Sequence, residues 1–267
     1  MLALMNELEL SVVNLRQEKP LVLCLTNVVT MDFMANSLLA LGAAPLMSEA
    51  EEEIEELVNI SDAVNINLGT LHPAFCARIQ KAVEAAAARK KPIIFDPVGA
   101  GASQLRTDTA RMLLPYVNVI RGNASEILAL GGEHSHTKGV ETVDNVSTAT
   151  DIANQLAQGN KIVIVSGPVD YITDGTQASY LPFGSPLMPL ITGMGCTLTA
   201  VIAAFAALQN DFYKAALMAT AYFGLCGQLA YTKTKEPGSY KARFVDSLHA
   251  PDWPLFKGLL LAANHSE

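Results

Sequence analysis

Hydrophobic residues along the chain fall into two alternating textures. Short dense runs predict strands at Leu21–Leu25 (LVLCL), Ala63–Leu68 (AVNINL), Pro92–Asp96 (PIIFD), Val117–Arg121 (VNVIR) and Lys161–Val165 (KIVIV). Between them the apolar positions spread to helical spacing. They predict helices over Asp32–Leu41, Glu49–Val58, His72–Arg89 with Pro73 in its first turn, Arg106–Leu114 and Ala124–Leu130. Ala44–Met47 reads as a further short strand, and Tyr171–Thr173 and Ala178–Leu181 as strands around an Asp174-Gly175 turn. Gly131–Gly139 reads as a loop, and the chain beyond Gly193 as mostly helical. Strands alternating with helices predict an α/β fold, a largely parallel central sheet flanked by helices on both faces. No linker, low-complexity tract or internal repeat interrupts the pattern, so residues 1–267 read as a single domain. Ligands of such folds gather beyond the carboxyl ends of the strands.

Composition narrows the function. Half of the 267 residues are hydrophobic and only 16% are charged, so apolar surface is buried either in one large core or partly between copies of the chain. The longest apolar run, Leu198–Leu208, is too short and too alanine-rich to span a bilayer. The opening segment carries Glu7 and Glu9 and no small-residue cleavage site, which argues against a secretion signal. A net charge of −8, with Arg89-Lys90-Lys91 as the one basic cluster, argues against nucleic acid. Cys24, Cys76, Cys196 and Cys226 lie far apart, a pattern of neither zinc ligands nor disulfides that fits a reduced, cytoplasmic place.

The chemistry is expected where strands end. Gly69-Thr70 follows one run, Asp96-Pro97-Val98-Gly99-Ala100-Gly101 another, Arg121-Gly122-Asn123 a third and Ser166-Gly167-Pro168 a fourth. The dinucleotide fingerprint G-x-G-x-x-G is absent, because Gly99-Ala100-Gly101 lacks its third glycine, and no G-x-x-x-x-G-K-[ST] occurs. A phosphate must therefore be held in another way. Residues 191–196 (ITGMGC) offer one. Thr192 is placed to cap a helix starting near Met194, and Gly193 and Gly195 let the backbone approach a ligand, so free amides and the helix dipole make an anion site. The same dipole would make Cys196 more acidic than a free cysteine. Cys196 otherwise reads as a small buried hydrophobe, as Cys24, Cys76 and Cys226 do. Asp96 and Glu126 suit Mg²⁺, although Glu126, three residues after Asn123, reads equally as a helix-start acid. Arg121 is placed to reach a phosphate or to form a surface salt bridge. His72, His134, His136, His249 and His265 have no ligand spacing and read as solvent or loop residues.

In this order the pieces resemble the hydroxyethylthiazole kinase family of the ribokinase-like superfamily. The likeness runs through Thr26-Asn27-Val28-Val29, the segment Ala35–Ala43, Pro45-Leu46-Met47, Asn67-Leu68-Gly69-Thr70, Asp96–Gly101, Arg121–Glu126 and Gly193-Met194-Gly195-Cys196. The last is the most specific, since related sugar and pyrimidine kinases carry aspartate where Cys196 stands. The resemblance implies transfer of the γ-phosphoryl group of ATP, with Mg²⁺, to 4-methyl-5-(2-hydroxyethyl)thiazole in thiamine biosynthesis and salvage. It implies Cys196 at the reacting hydroxyl, Met47 and Gly193 as substrate contacts, and Arg121 and Ser166 as ATP contacts. Asp96 and Glu126 would serve the metal and phosphates. It also implies a homotrimer with active sites between subunits, which suits the apolar composition.

Overall fold

In the computed structural model, which describes residues 2–132, 137–138, 141–142 and 146–263, the dense apolar runs lie side by side. The first half reads α1 (Leu2–Glu18), β1 (Leu21–Leu25), α2 (Met31–Leu41), β2 (Ala44–Leu46), α3 (Ile54–Ile60), β3 (Ala63–Asn67), α4 (Pro73–Ala88) and β4 (Ile93–Asp96). Then come α5 (Gln104–Leu113), β5 (Val119–Asn123), α6 (Ala124–Gly131), the short hairpin β6 (Thr137–Lys138) and β7 (Glu141–Thr142), and α7 (Val146–Ala157). The chain continues with β8 (Ile162–Ser166), β9 (Asp170–Thr173), β10 (Ala178–Leu181), α8 (Met194–Ala206), α9 (Phe212–Lys233), α10 (Pro237–His249) and α11 (Trp253–Ala263).

Eight strands form one sheet in the order β10-β9-β8-β5-β4-β3-β1-β2. From β2 to β8 all pairings are parallel, and β9 and β10 add an antiparallel edge. Both faces are covered, which is why the central strands read as continuous rather than alternating apolar runs. Val22, Ile94, Val119 and Ile164 pack under α1, α2 and α8–α11. Their neighbours Leu23, Phe95, Ile120 and Val165 pack under α3–α7. The chain leaves β1 toward β2 on one side and returns to β3 on the other, so the strand order reverses between β1 and β3. A crevice opens beyond the strand ends at such a reversal.

Several elements depart from the sequence expectation. Helices α1 and α7 were not predicted. The helix expected from Glu49 begins only at Ile54: the Ser48 hydroxyl accepts from the Ala50 amide and bonds Glu53, an ordered turn that competes with helix. The edge strand β2 stops one residue short of Met47. Gly132 closes α6 at φ 89°, and Thr137–Lys138, inside the loop expected over Gly131–Gly139, pairs with Glu141–Thr142 beyond it. His134, His136 and His265 lie outside the described residues. His72 is no loop residue: its ring accepts from the Phe75 amide at 3.3 Å and caps α4. Among the described residues no helix is long and apolar enough to cross a membrane.

Candidate active site

Side chains alternate across a sheet, so one register argument places most of the site. Asn67 ends β3 two residues beyond Asn65 and four beyond Ala63, Asp96 ends β4 two beyond Ile94, Arg121 lies two beyond Val119, and Ser166 two beyond Ile164. Ala63, Ile94, Val119 and Ile164 all belong to the core under α1, α2 and α8–α11. The polar residues at the carboxyl ends of four adjacent strands therefore point to the same face. On the opposite face the corresponding positions are apolar and closed under α3–α7.

Hydrogen bonds join these residues into a line. Asn27, beyond β1, donates through Nδ2 to Asn67 Oδ1 at 2.9 Å, and Asn67 Nδ2 donates to Asp96 Oδ2 at 3.0 Å. The amide orientation is forced, because the Gly69 N–H, which can only donate, also meets Asn67 Oδ1 at 3.0 Å. Asp96 Oδ2 lies 3.8 Å from Arg121 Nη1, and Arg121 Nε donates to Ser166 Oγ at 2.9 Å. The line runs from the crevice between β1 and β3 to the far side of β5.

The start of α8 touches this line at three places. Cys196 Sγ accepts from Asn27 Nδ2 at 3.6 Å. Thr199 Oγ1 donates to Asp96 Oδ2 at 3.0 Å. Gly195 faces Arg121 so closely that a Cβ added there would stand 2.9 Å from Nη2 and 3.0 Å from Cζ. The residue capping α8 is Gly193 rather than Thr192, in the left-handed region at φ 88° and with no side-chain cap. A Cβ on Gly193 would lie 2.7 Å from Thr30 Cγ2, so the turn packs against the loop that carries Asn27. The Met194 amide is used on Ile191 O, which leaves those of Gly195 and Cys196 as the first-turn donors without an acceptor inside the helix.

The expected acidity of Cys196 is overturned. Burial, and next the charge of Asp96, push the thiol up to about 12. A helix end contributes roughly 0.3–1 kcal/mol to a nearby anion, too little to offset removal of a thiolate from water. Burial also raises the Asp96 carboxyl above the usual range, against the pull of Arg121, Thr199 and Asn67. Glu126 is pushed up to about 7 by burial and by Asp96.

Glu126 realises the helix-start reading: Oε2 accepts from the Asn123 amide and the Asn123 side chain from the Glu126 amide, a capping box. Its Oε1 accepts from the Gly99 amide at 2.8 Å, tying the β4–α5 loop to α6. Among the described residues no three His, Cys, Asp or Glu side chains form a metal cage. Asp96 and Glu126 nevertheless fit an ion that arrives on a nucleotide, since Mg²⁺ usually takes one or two carboxylates with water and phosphate oxygens, and each Glu126 oxygen keeps a second lone pair. Met47 stands apart. It follows β2, with β1 and β3 between it and Asp96, roughly three strand spacings or about 14 Å.

The structure adds residues to which the sequence reading gave no role. Asn27, Asn67 and Thr199 complete the line. Arg106 donates to the carbonyls of Leu68, Val98 and Gly69 and clamps two strand-end loops together. The strand-end rule that singled out Asp96 applies equally to Asn67. Thr199 lies one helical turn beyond Gly195.

The chain matches the family described as the hydroxyethylthiazole kinase family over residues 12–252. The hydroxyethylthiazole kinase of Chlamydia felis is 46% identical over 242 residues, covering 90% of this chain and 92% of that protein. That of Desulfotalea psychrophila is 44% identical over 238 residues, covering 88% and 87%. Among solved structures, the hydroxyethylthiazole kinase protein from Pyrococcus horikoshii superposes with a TM-score of 0.86 at 36% identity, over 96% of each chain. Pyridoxal kinase from Bacillus subtilis, solved as an ADP complex, has a TM-score of 0.60 at 16% identity, covering 78% of this chain and 91% of that one, a likeness of fold alone. The ribokinase-like fold expected from the sequence is the fold observed.

Proposed function

The chain belongs to the hydroxyethylthiazole kinase family, and from that premise we propose how its strand-end residues share the work of the reaction. The enzyme phosphorylates the primary hydroxyl of the thiazole alcohol in thiamine biosynthesis and salvage, with ATP as donor. The observation that carries the assignment of roles is the unbroken polar line from Asn27 to Ser166 with the open start of α8 laid along it.

The alcohol belongs at the Asn27 end, where Gly193 and Cys196 face the crevice. The triphosphate belongs at the Arg121–Ser166 end. The γ-phosphorus then sits between them, near the amides of Gly195 and Cys196. The hydroxyl oxygen forms its bond to that phosphorus as the bond to the bridging oxygen of ADP breaks. A loose transition state spreads charge over the phosphoryl oxygens and asks for positioning and donors more than for a base. Cys196 fits this demand. A thiol held protonated accepts no proton, so it orients the hydroxyl, and the hydroxyl proton passes late to an oxygen of the transferred phosphoryl group. Asp96 and Glu126 would hold Mg²⁺, which when bound neutralises charge on the phosphates.

Met47 joins this scheme through a neighbouring copy. Val28 and Val29, beside Asn27, are 60% and 66% exposed, an apolar lip at the crevice, and Met47 lies just beyond the outer strand. A homotrimer that covers the lip and brings Met47 to a partner's crevice accounts for both. The four unpaired cysteines suit a cytoplasmic place.

The test is ADP release coupled to added thiazole alcohol, with and without Mg²⁺, and with pyridoxine or hydroxymethylpyrimidine as competing acceptors. Turnover that depends on the thiazole alcohol and on Mg²⁺ is expected. Turnover indifferent to the acceptor overturns the reading. Light scattering in solution tests the trimer, and a monomeric active enzyme excludes the shared site.

A further inference from the structure

A carboxylate stands beside the end of this line. Strands β8 and β9 pair antiparallel with Val165 opposite Tyr171, which sets Asp170, the first residue of β9, next to Ser166 across the turn. Asp170 Oδ1 accepts from the Gly167 amide at 3.0 Å, which fixes the turn between β8 and β9. Donor and acceptor rules set the direction of every proton here. Arg121 Nε and the Gly167 amide can only donate. Ser166 Oγ receives Arg121, so its own proton is free for an acceptor, and the Asp170 carboxylate beside it only accepts while ionised. Arg121 therefore stands between two anions, Asp96 at its Nη1 and Asp170 behind the serine. Without the second, the guanidinium is free to swing wholly onto Asp96, away from where a triphosphate must lie.

We propose that Asp170 is a positioning residue for the nucleotide: it holds the Ser166 lone pair toward Arg121 Nε and so fixes the guanidinium plane over the start of α8. The proposal rests on the kinase reading above. It assigns Asp170 no contact with ATP and no proton transfer. Its effect is confined to nucleotide affinity, because the alcohol end of the line is anchored separately by Gly69 and Asn67.

The experiment compares Asp170→Asn, Ser166→Ala, Ser166→Thr and the double variant Asp170→Asn/Ser166→Ala, using steady-state kinetics and calorimetric titration with ADP. Asp170→Asn keeps an oxygen for the Gly167 amide but turns an NH₂ toward Ser166. It is expected to raise the KM for ATP and the Kd for ADP about tenfold, the size of one charge-assisted hydrogen bond, with kcat and the KM for the thiazole alcohol changed less than about threefold. Ser166→Ala is expected to match it, and Ser166→Thr, which restores the hydroxyl, to recover affinity relative to alanine. In the double variant the losses should not multiply, because both act through one guanidinium. Unchanged nucleotide affinity in Asp170→Asn, or losses that multiply in the double variant, overturns the proposal. Should Asp170→Asn fail to fold, Asp170→Ser, which keeps a short acceptor for Gly167, is held to the same result. A wild-type enzyme without thiazole-dependent turnover would overturn the kinase reading instead, and the ADP titration would still decide on Asp170.

Discussion

Replacing Gly195 with alanine separates stability from catalysis in one step. Gly195 is the second residue of α8 and has an ordinary helical φ, so alanine fits the backbone and should add about 0.5–1 kcal/mol of helix propensity. The new methyl, however, would stand 2.9 Å from Arg121 Nη2 and 3.0 Å from Cζ, closer still to Nη1. Carbon needs roughly 3.5–4 Å, so the guanidinium must move by about 1 Å or more. It is the far end of a flexible side chain, and the core below need not shift. The displacement breaks the 2.9 Å bond to Ser166 and lengthens the 3.8 Å approach to Asp96. A hydrogen bond to a charged group is worth roughly 1.5–3 kcal/mol, so the gain in propensity offsets part of it and the net loss of stability is about 0.5–2.5 kcal/mol. The loss in catalysis should be larger. Removing one aligned donor from a transition state costs about 2.7–4 kcal/mol, a hundredfold or more in kcat/KM for ATP. Urea denaturation reads the first quantity and coupled ADP release the second. Arg121→Ala provides the control: combined with Gly195→Ala it should add little, because the guanidinium is already out of place. A folded Gly195→Ala enzyme with near-normal kcat/KM for ATP refutes the idea that bare backbone here lets Arg121 and the phosphates meet.

Other expectations concern the same residues. Gly193→Ala places a side chain at φ 88° and a Cβ 2.7 Å from Thr30 Cγ2, so a loss of about 2–4 kcal/mol in chemical denaturation is expected; full stability would contradict the assigned turn. Cys196→Ala should lower kcat by about threefold to tenfold, and Cys196→Asp should match or exceed the wild type, whereas a folded, thiazole-binding alanine variant without activity would restore a base role to the sulfur. With its thiol pushed up to about 12, Cys196 should react with a disulfide reagent at pH 8 far more slowly than a free cysteine, and rapid labelling at that position would count against the burial argument. Glu126 and Asp170 are raised by burial to about 7 and about 6, above their unfolded values, so the fold binds protons first. Stability should therefore rise as pH falls from about 7 toward 5, by at most about 1.4 kcal/mol per pH unit for each group. Asp170→Asn should flatten its share of that slope, and urea midpoints across the window decide it.

The sheet was legible in the sequence because strands covered on both faces read as unbroken apolar runs, and LVLCL, PIIFD and KIVIV leave few alternatives. Their ends were legible for the same reason, and with them Asp96, Arg121 and Ser166. The signal for α1 is present too, in Met5, Leu8, Val12 and Leu15 at helical spacing and all buried. What the sequence hid is pairing over distance. Nothing local says that Arg121 will approach Asp96, or that a helix starting at Met194 will set Cys196 within reach of that carboxylate's charge. The error about the thiol follows directly. The helix end that favours a thiolate was visible, and the burial and negative charge that oppose it were not.

Helix starts along the carboxyl edge are of two kinds, closed by a side chain or left open. A helix leaves its first amides without partners, and most sequences supply one. Here α4 is closed by the His72 ring, α5 by the Ser103 hydroxyl, and α6 by Asn123 and Glu126 together, while α2 and α3 start without a side-chain cap. The start of α8 is open too, and it alone of these has a glycine as its cap residue, held at φ 88° against Thr30. That choice sacrifices about 1 kcal/mol of capping at a helix whose other face is buried in the core. It also sets the open amides above the one stretch of strand ends where polar side chains emerge. On the proposed placement of the nucleotide, a cap supplied by the chain would fill the space where phosphoryl oxygens must pass. The phosphoryl group in transit would then be the cap that this helix lacks, and its binding would complete a hydrogen-bond pattern left unfinished by the fold.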